Sequence, residues 1–412
     1  RQPVGAEGDN GILSRFVTNS SVVWIDSDDP DPARRYKMFI RQPDREEPDA
    51  GGSFKETGGR KRAHVMTSPD GIHWSDPVTT RPVGDRSTVF YNPFRRKWVF
   101  SIRNYRFGDT FARTRHYHEC DDLISGALWE PETDLFWVGA DRLDEPDPHI
   151  GDRPQLYNLD AVAYESLLLG IFEIHLGPAN NICAQGGFPK TIDLKVGFSR
   201  NGFHWHRPDR DAFIASSRRE GAWDRGYVQS VGGCCLVCGD ELRFYYSGFQ
   251  GDPARTSEKE TFDNGMYANA STGMATLRRD GFASMRAGRE EASLLTRPVT
   301  FSGQYLFVNV DNPGGSLAVE VCSEQGVPLP GLTRADCVPV SADSTKTRVR
   351  WKGGETLDAY ANRPVCFKFH ITNGDLYAFW VSGSERGESN GYVAAGGPGF
   401  AGNRDAIERA HV

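Results

Sequence analysis

Three aspartates occupy comparable places in the chain: Asp85 in Gly84-Asp-Arg-Ser87, Asp160 in Tyr157-Asn-Leu-Asp160, and Asp224 in Trp223-Asp-Arg225. Each stands at or beside the start of an apolar stretch with strand character. Two carboxyl groups flanking an acetal can cleave it: one donates a proton to the departing oxygen, and the other attacks the carbon or activates water. A third acid commonly tunes their pKa values or holds hydroxyls. The expected catalytic set is therefore Asp85 and Asp160, with Asp224 in support. Nearby polar groups are expected to contact substrate, namely Arg86, Arg103, Asn104, Asn158, Arg225 and Gln229, and the rings of Tyr157 and Trp223 to stack on a sugar face. Each residue also has a plainer role open to it: Asp85 as a turn cap, Asp160 as a hydrogen-bonded core residue, Asp224 as the ion-pair partner of Arg225. Glu165, in a hairpin turn, and Glu173, on the second strand, are expected farther from any common axis and rank below Asp160.

Those aspartates can meet only if repeated elements bring strand starts together, and the sequence does repeat. Ser68-Pro-Asp-Gly-Ile-His-Trp74 returns as Ser199-Arg-Asn-Gly-Phe-His-Trp205 and, more weakly, as Arg279-Asp-Gly-Phe282, with a longer degenerate copy at Glu119-Cys-Asp-Asp-Leu123 and Trp129. Asp-Gly and Asn-Gly supply the positive φ of a tight turn between strands. Between these turns lie apolar hairpins: Val22–Ile25 with Tyr36–Ile40, Thr88–Tyr91 with Lys97–Ile102, Ala161–Tyr164 with Leu167–Ile174, and Gly232–Val237 with Leu242–Tyr246. Four strands per unit of roughly 70 residues is the pattern of a β-propeller blade, whose innermost strands converge on a central funnel. A β-sandwich built from the same hairpins is the alternative. Four blades are visible, and the first carries no acid in Val17-Thr-Asn-Ser-Ser21.

After Arg297 five stretches alternate with period two, Tyr305–Val310, Leu317–Val321, Thr347–Trp351, Val365–Ile371 and Leu376–Trp380, and predict a β-sandwich. The division expected is a propeller over residues 1–290, a sandwich over 291–385 and a Gly-rich tail over 386–412. Composition agrees: 45 Gly and 24 Pro make about one residue in six, well suited to many turns. A net charge of -7 without a basic run argues against nucleic acid, and a chain with 25% charged residues argues against a membrane span. The eight cysteines show no zinc-type spacing, Cys234, Cys235 and Cys238 lying in one apolar segment, and read as ordinary thiols.

The Ser-x-Asp-Gly-x-x-Trp turns, the stretch Asp85-Arg-Ser-Thr-Val-Phe-Tyr-Asn-Pro93, and Leu277-Arg-Arg-Asp-Gly-Phe-Ala-Ser284 followed by Leu295-Thr-Arg-Pro-Val-Thr-Phe301 resemble bacterial proteins described as family-32-like glycosyl hydrolases. Through them the chain is similar to the five-bladed propeller superfamily acting on fructans, arabinans and xylans. The resemblance implies an all-β fold, a five-bladed β-propeller followed by a β-sandwich, and a glycoside hydrolase, with a non-catalytic carbohydrate-binding propeller as the alternative. The family phrases Trp-Met-Asn-Asp-Pro and Arg-Asp-Pro are absent, and Glu119-Cys120 matches a third only as a dipeptide elsewhere in a blade. A sialidase is disfavoured because its Asp box has one more residue between Asp and Gly. The expected partner is a carbohydrate, with neither nucleic acid nor membrane, and a homo-oligomer is open. No redox cofactor is expected, and structural Ca²⁺ is the one candidate ion. With four blades visible, the chain is expected either to be short by one at its N-terminus or to complete the ring with another segment, and a removed export signal would make it secreted or periplasmic.

Overall fold

The computed structural model describes residues 20–41, 62–107, 110–130, 133–258, 264–354 and 356–406. They are almost entirely β. The chain divides into two compact units, one of residues 1–236 and 244–275 and the other of 237–243 and 276–412.

The first unit is a succession of antiparallel sheets. Strands β1 (Ser20–Ile25), β2 (Tyr36–Arg41), β3 (Arg62–Ser68) and β4 (Val78–Pro82) form the first in chain order, and β5 (Thr88–Asn92), β6 (Lys97–Phe107), β7 (Thr110–Cys120) and β8 (Leu135–Gly139) the second. The third includes β9 (Gln155–Glu165), β10 (Leu167–Gly177) and β11 (Thr191–Ser199), paired in that order, with the short helix α1 (Asn180–Gly186) before β11. In the fourth, β12 (Gly226–Ser230) pairs with β14 (Glu241–Phe249), which also takes β13 (Leu236–Cys238) and β15 (Ala270–Arg278). Consecutive sheets with the first strand innermost are propeller blades. Four are present among the described residues, and residues 1–19, where a further element would precede β1, lie outside them.

Large side chains fill the spaces between neighbouring blades. Val22, Phe39 and Val65 pack with Val89, Trp98 and Phe100, and the Trp24 indole donates to the Val89 carbonyl (3.1 Å). Trp137 stacks on Phe90 and meets Trp205, and its indole donates to the Phe203 carbonyl. Tyr157, Ile192 and Tyr227 join the third blade to the fourth, and Gly232 lies against Val22, returning the fourth to the first.

The recurrent phrase folds in the same way at both full copies. The Asp70 carboxylate accepts from the amides of Ile72 and His73, the Asn201 side chain from those of Phe203 and His204, and the preceding Ser hydroxyl accepts from the Gly amide in each. Gly71 and Gly202 have φ of +74° and +82°. These are Asx-type turns that satisfy backbone donors locally. Asp122 makes the equivalent bonds to Ile124 and Ser125 in the longer copy.

Two expectations are corrected. After Trp205 the third blade has no regular fourth strand, only bridges Phe198↔His206 and Leu194↔Ile214. The inner strand of the fourth blade is Gly226–Ser230 rather than Gly232–Val237: residues 231–235 are irregular, with Gly233 and Cys234 at φ of +86° and +60°, which a ladder cannot accommodate.

Glycine is required where an indole crosses a strand. A Cβ on Gly170 would stand 2.5 Å from the Trp205 ring. Gly170→Ala is expected to destabilise the protein by about 1–3 kcal/mol through overpacking, read as a lower urea midpoint with an unchanged m-value; an unshifted midpoint would refute the close packing.

In the second unit, one sheet runs β16 (Met285–Ala287), β24 (Gly374–Ser382), β18 (Tyr305–Asp311), β21 (Asp343–Arg348), and another β17 (Ala292–Leu295), β23 (Cys366–Thr372), β19 (Ser316–Cys322). A two-stranded pair, β20 (Cys337–Val338) and β22 (Arg350–Trp351), accompanies them. Leu306, Val308, Leu317, Val319, Phe367 and Phe369 belong to one core, as in a two-layer sandwich. The unit starts before residue 291 because β16 already pairs with β24. The segment after Glu385 is tied to it by an Arg279–Asp405 ion pair of 2.7 Å.

Candidate functional site

A pocket of about 280 Å³ collects polar groups from all four inner strands: Ser20 and Ser21 from β1, Arg86 and Thr88 at the start of β5, Asn158 and Asp160 from β9, and Ser230 with Val231 and Gly232 at the end of β12. Asp160, Asn158 and Arg86 are thus brought together. Tight turns aim them: Arg86 itself has φ of +55°, an uncommon conformation for a long side chain, held here by its contacts.

Beside Asp160 stands Glu173, the acid ranked below it on sequence. The register decides this. Asp160 pairs with Ile171 and Asn158 with Glu173, so Asp160 and Glu173 are diagonal neighbours on one face of the β9–β10 hairpin. The Ser230 hydroxyl lies 2.5 Å from Asp160 Oδ2 and 3.1 Å from Glu173 Oε1, linking the two carboxyls. Glu173 Oε1 also accepts from the Ser230 amide (2.9 Å) and from Arg86 Nη2 (2.9 Å). Complete burial, with the nearby Asp160 carboxylate, pushes the Glu173 carboxyl above its ordinary range against the pull of Arg86. One signal for this existed in the sequence: a single acid within Leu167-Leu-Leu-Gly-Ile-Phe-Glu-Ile174 must find a partner if it is buried.

Two acceptors, one in the pocket lining and one behind it, are buried. Asn158 Oδ1 and Glu173 Oε2 are buried without a hydrogen-bond partner among the described residues. Arg115, wholly buried, braces the floor by donating to the carbonyls of Arg86 (2.8 Å), Ser101 and Tyr157.

Asp85 faces a different set of groups. Its Oδ2 accepts from Arg103 Nη1 (2.6 Å) and the Tyr157 hydroxyl (3.2 Å), and Oδ1 lies 3.7 Å from Arg41 Nη1. Burial opposes ionisation, but Arg103, Arg41, Arg86 and Lys190 outweigh it and hold the carboxyl down at about 2. The Tyr157 ring presents no open face for a sugar: it is 2% exposed, with Arg103 4.7 Å above the ring and His175 parallel to it at 6.2 Å.

The remaining expected residues stand apart from the pocket. The Trp223 ring is pressed on Gly248, Gly273 and Tyr246 of its own blade, and Asp224 lies against Gly248. Arg225 is over Phe188, Gln229 pairs with Ser247, and Asn104 Nδ2 is 3.5 Å from His116. The cause is the earlier start of β12, which makes Ser230 rather than Asp224 the counterpart of Asp160. Among the described residues no group of three or more His, Cys, Asp and Glu is placed to hold a metal ion, and no helix is long and apolar enough to cross a membrane.

His175 gives the site an acid limit. Burial, reinforced by Arg113, Lys190 and Arg103, pushes its imidazole down to about 2. The unfolded chain therefore binds the extra proton below about pH 6.5, and stability is lost as pH falls from there toward 2. His175→Gln is expected to flatten the decline by up to about 1.4 kcal/mol per pH unit in that window; parallel wild-type and variant curves in urea titrations would contradict it.

No protein-family model matches the chain, and no curated protein matches it by sequence. Among solved structures it is similar to a family-43 glycoside hydrolase from Bacillus licheniformis (10% identity, 84% of this chain and 83% of that one, TM-score 0.36). It is also similar to a fructofuranosidase from Schwanniomyces occidentalis complexed with fructosylnystose (9%, 88% and 82%, 0.32). A third is an N-acetylgalactosamine deacetylase from F. plautii in complex with blood group B trisaccharide (14%, 63% and 89%, 0.37). The likeness is distant in sequence and loose in superposition, and it carries no functional weight.

Proposed function

We propose that the protein is a glycoside hydrolase acting on an oligo- or polysaccharide, with the funnel pocket as its active site. The observation that carries this is the convergence of Asp160, Asn158, Arg86, Thr88, Ser230, Ser20 and Ser21 from four separate blades on one pocket. A hydroxyl-rich ligand needs many such donors and acceptors, and cleaving an acetal needs carboxyl groups among them. Asp160, which lines the pocket, passes a proton to the glycosidic oxygen. Glu173, whose carboxyl is pushed above its ordinary range, stands behind Asp160, and Ser230 lies within reach of both carboxyls to relay a proton between them. Asp85, kept ionised by its arginines and set beside the pocket rather than in its lining, supplies negative charge toward the positive charge developing at the anomeric carbon, and water adding there completes hydrolysis. Asp224 has only an indirect part.

The second reading, carbohydrate binding without cleavage, is favoured by one observation: the first and fourth blades contribute serines, not acids, to the pocket. Incubation with aryl glycosides and plant, algal and bacterial polysaccharides separates the two. Release of nitrophenol or reducing ends, lost in Asp160→Asn, is expected; saturable oligosaccharide binding with no product after long incubation would establish the second reading instead.

A further inference from the structure

None of the eight cysteines takes part in the funnel chemistry, and all are thiols in this structure. Two of them face each other in the second unit. Along the antiparallel pair β19–β23, Leu317↔Ile371, Val319↔Phe369 and Val321↔Phe367 belong to the sandwich core, and the alternate pairs Ala318↔His370, Glu320↔Lys368 and Cys322↔Cys366 lie on the other face. Side chains directly opposite each other share a face, with Cβ atoms about 4.5–5.5 Å apart. Cys322 and Cys366 therefore leave the sheet in the same direction, and they are 1% and 3% exposed.

The hydrogen bonds at the outer edges of the two strands fix which class of pair this is. Val321 donates to the Leu332 carbonyl (2.9 Å) and accepts from the Leu329 amide (2.8 Å), and the Ser323 amide donates to Val327 (2.8 Å). Successive residues address opposite edges of a strand, so the backbone groups of Cys322 are directed at β23. On β23 the Phe367 carbonyl accepts from the Thr296 amide (2.9 Å), which directs Cys366 back at β19. The two cysteines are thus a hydrogen-bonded pair, for which the Cα atoms stand about 5.5 Å apart. Disulfides span Cα separations of about 4.4–6.8 Å, most often about 5.5–6 Å. The strands are already at bridging distance, and only the Cβ atoms must approach, by up to about 1 Å.

Other cysteines are placed differently. Cys234 and Cys235 are neighbours in the chain, and Cys337 Sγ accepts from the Val319 amide at 3.3 Å. Burial, with Glu320 and Cys366 adding to it against Lys368, pushes the Cys322 thiol above its ordinary range. Little thiolate is present at neutral pH, so closing the bond calls for an oxidant and is favoured by mildly alkaline buffer.

We propose that Cys322 and Cys366 are a dithiol site that closes to a cross-strand disulfide between β19 and β23 when a small-molecule disulfide is present as oxidant. One protein thiolate attacks a sulfur of the oxidant, forming a mixed disulfide and releasing one small thiol. The second protein thiolate then attacks the protein sulfur of that mixed disulfide and displaces the other small thiol. Two protein thiols are oxidised and one small disulfide is reduced to two thiols, each taking up a proton given up by a cysteine. The bridge closes the chain segment that carries β20, β21 and β22. It lies within the second unit and is independent of the glycosidase reading.

Because both thiols are buried, the exchange is tested while the sheet forms. The full-length protein is unfolded in urea under reducing conditions and refolded in mildly alkaline buffer with reduced and oxidised glutathione. Remaining thiols are blocked with iodoacetamide in denaturant, and the digest is mapped by mass spectrometry without reduction. The expected result is a peptide pair joined through Cys322 and Cys366 in most molecules, with the other six cysteines alkylated, and its disappearance in Cys322→Ser and in Cys366→Ser. Cys120→Ser, a substitution outside the pair, should leave the linkage in place. Recovery of the wild-type circular dichroism spectrum with both Cys322 and Cys366 alkylated overturns the proposal, as does either cysteine joined mainly to a third one. Failure of a serine variant to refold does not decide the matter, because the wild-type map alone gives either result.

Discussion

Asp160→Asn is expected to lower kcat on a cleavable glycoside by about 10²–10⁴-fold, the range associated with loss of one positioned acid or base. Amide for carboxyl conserves shape, and the side chain can still accept from the Ser230 hydroxyl, now 2.5 Å from Oδ2. The fold should therefore survive, and KM should move far less than kcat because the other pocket groups still hold substrate. The flanking substitution Glu173→Gln tests the relay. If Glu173 is only a proton reservoir behind Asp160, its loss costs less than that of Asp160 and moves the acidic limb of the kcat profile. Wild-type turnover in Asp160→Asn would remove Asp160 from the chemistry.

Arg86→Met should produce the largest loss of stability, about 3–5 kcal/mol, the usual cost of removing one partner of a buried ion pair. Glu173 has no solvent access and Arg86 is 14% exposed at its side chain, so water cannot replace the lost charge. Two neighbouring carboxyl groups, Glu173 and Asp160, would be left with the Ser230 amide and hydroxyl as donors. Part of the loss should be recovered by adding Glu173→Gln, which removes one of the uncompensated charges, and a double-mutant cycle gives the coupling between them. Additive single effects would mean that the pair acts independently. Because Glu173 is held above its unfolded pKa, it binds more protons in the folded state; its contribution to stability is greatest at acid pH and is lost as pH rises through its folded pKa.

The acid-rich appearance of the sequence misled at one place and guided at another. Asp160 and Arg86 reach the pocket because both follow from the placement of inner strands, and those strands were legible as apolar runs bounded by repeated turns. Asp224 was aligned by the same rule on a strand that begins earlier than its hydrophobic pattern suggests. Val231-Gly-Gly-Cys-Cys235 is apolar, but two consecutive glycines and a left-handed Cys234 break the ladder, so the functional level of the fourth blade is carried by Ser230. Glu173 was set aside because it lies on a second strand. Distance from the axis is a matter of side-chain direction as well as strand order, and the diagonal pairing across β9 and β10 turns Glu173 toward Asp160.

By itself the sequence determined the local chemistry: period-two runs that can bury only one or two sheet faces, Asp-Gly and Asn-Gly turns whose side chains cap their own backbone, and the four-strand repeat that follows. These are short-range consequences of sterics and hydrogen bonding, so a few adjacent residues suffice to encode them. Tertiary structure alone decided which charges meet. Arg41, Arg103, Lys190 and His175 come from different strands and loops, and their convergence on Asp85 and Tyr157 depends on cross-strand register and on how blades pack. A one-residue change of register sends a side chain to the opposite face. For that reason the repeated turns and inner strands could be read from the sequence, but the cationic groups around Asp85 could not.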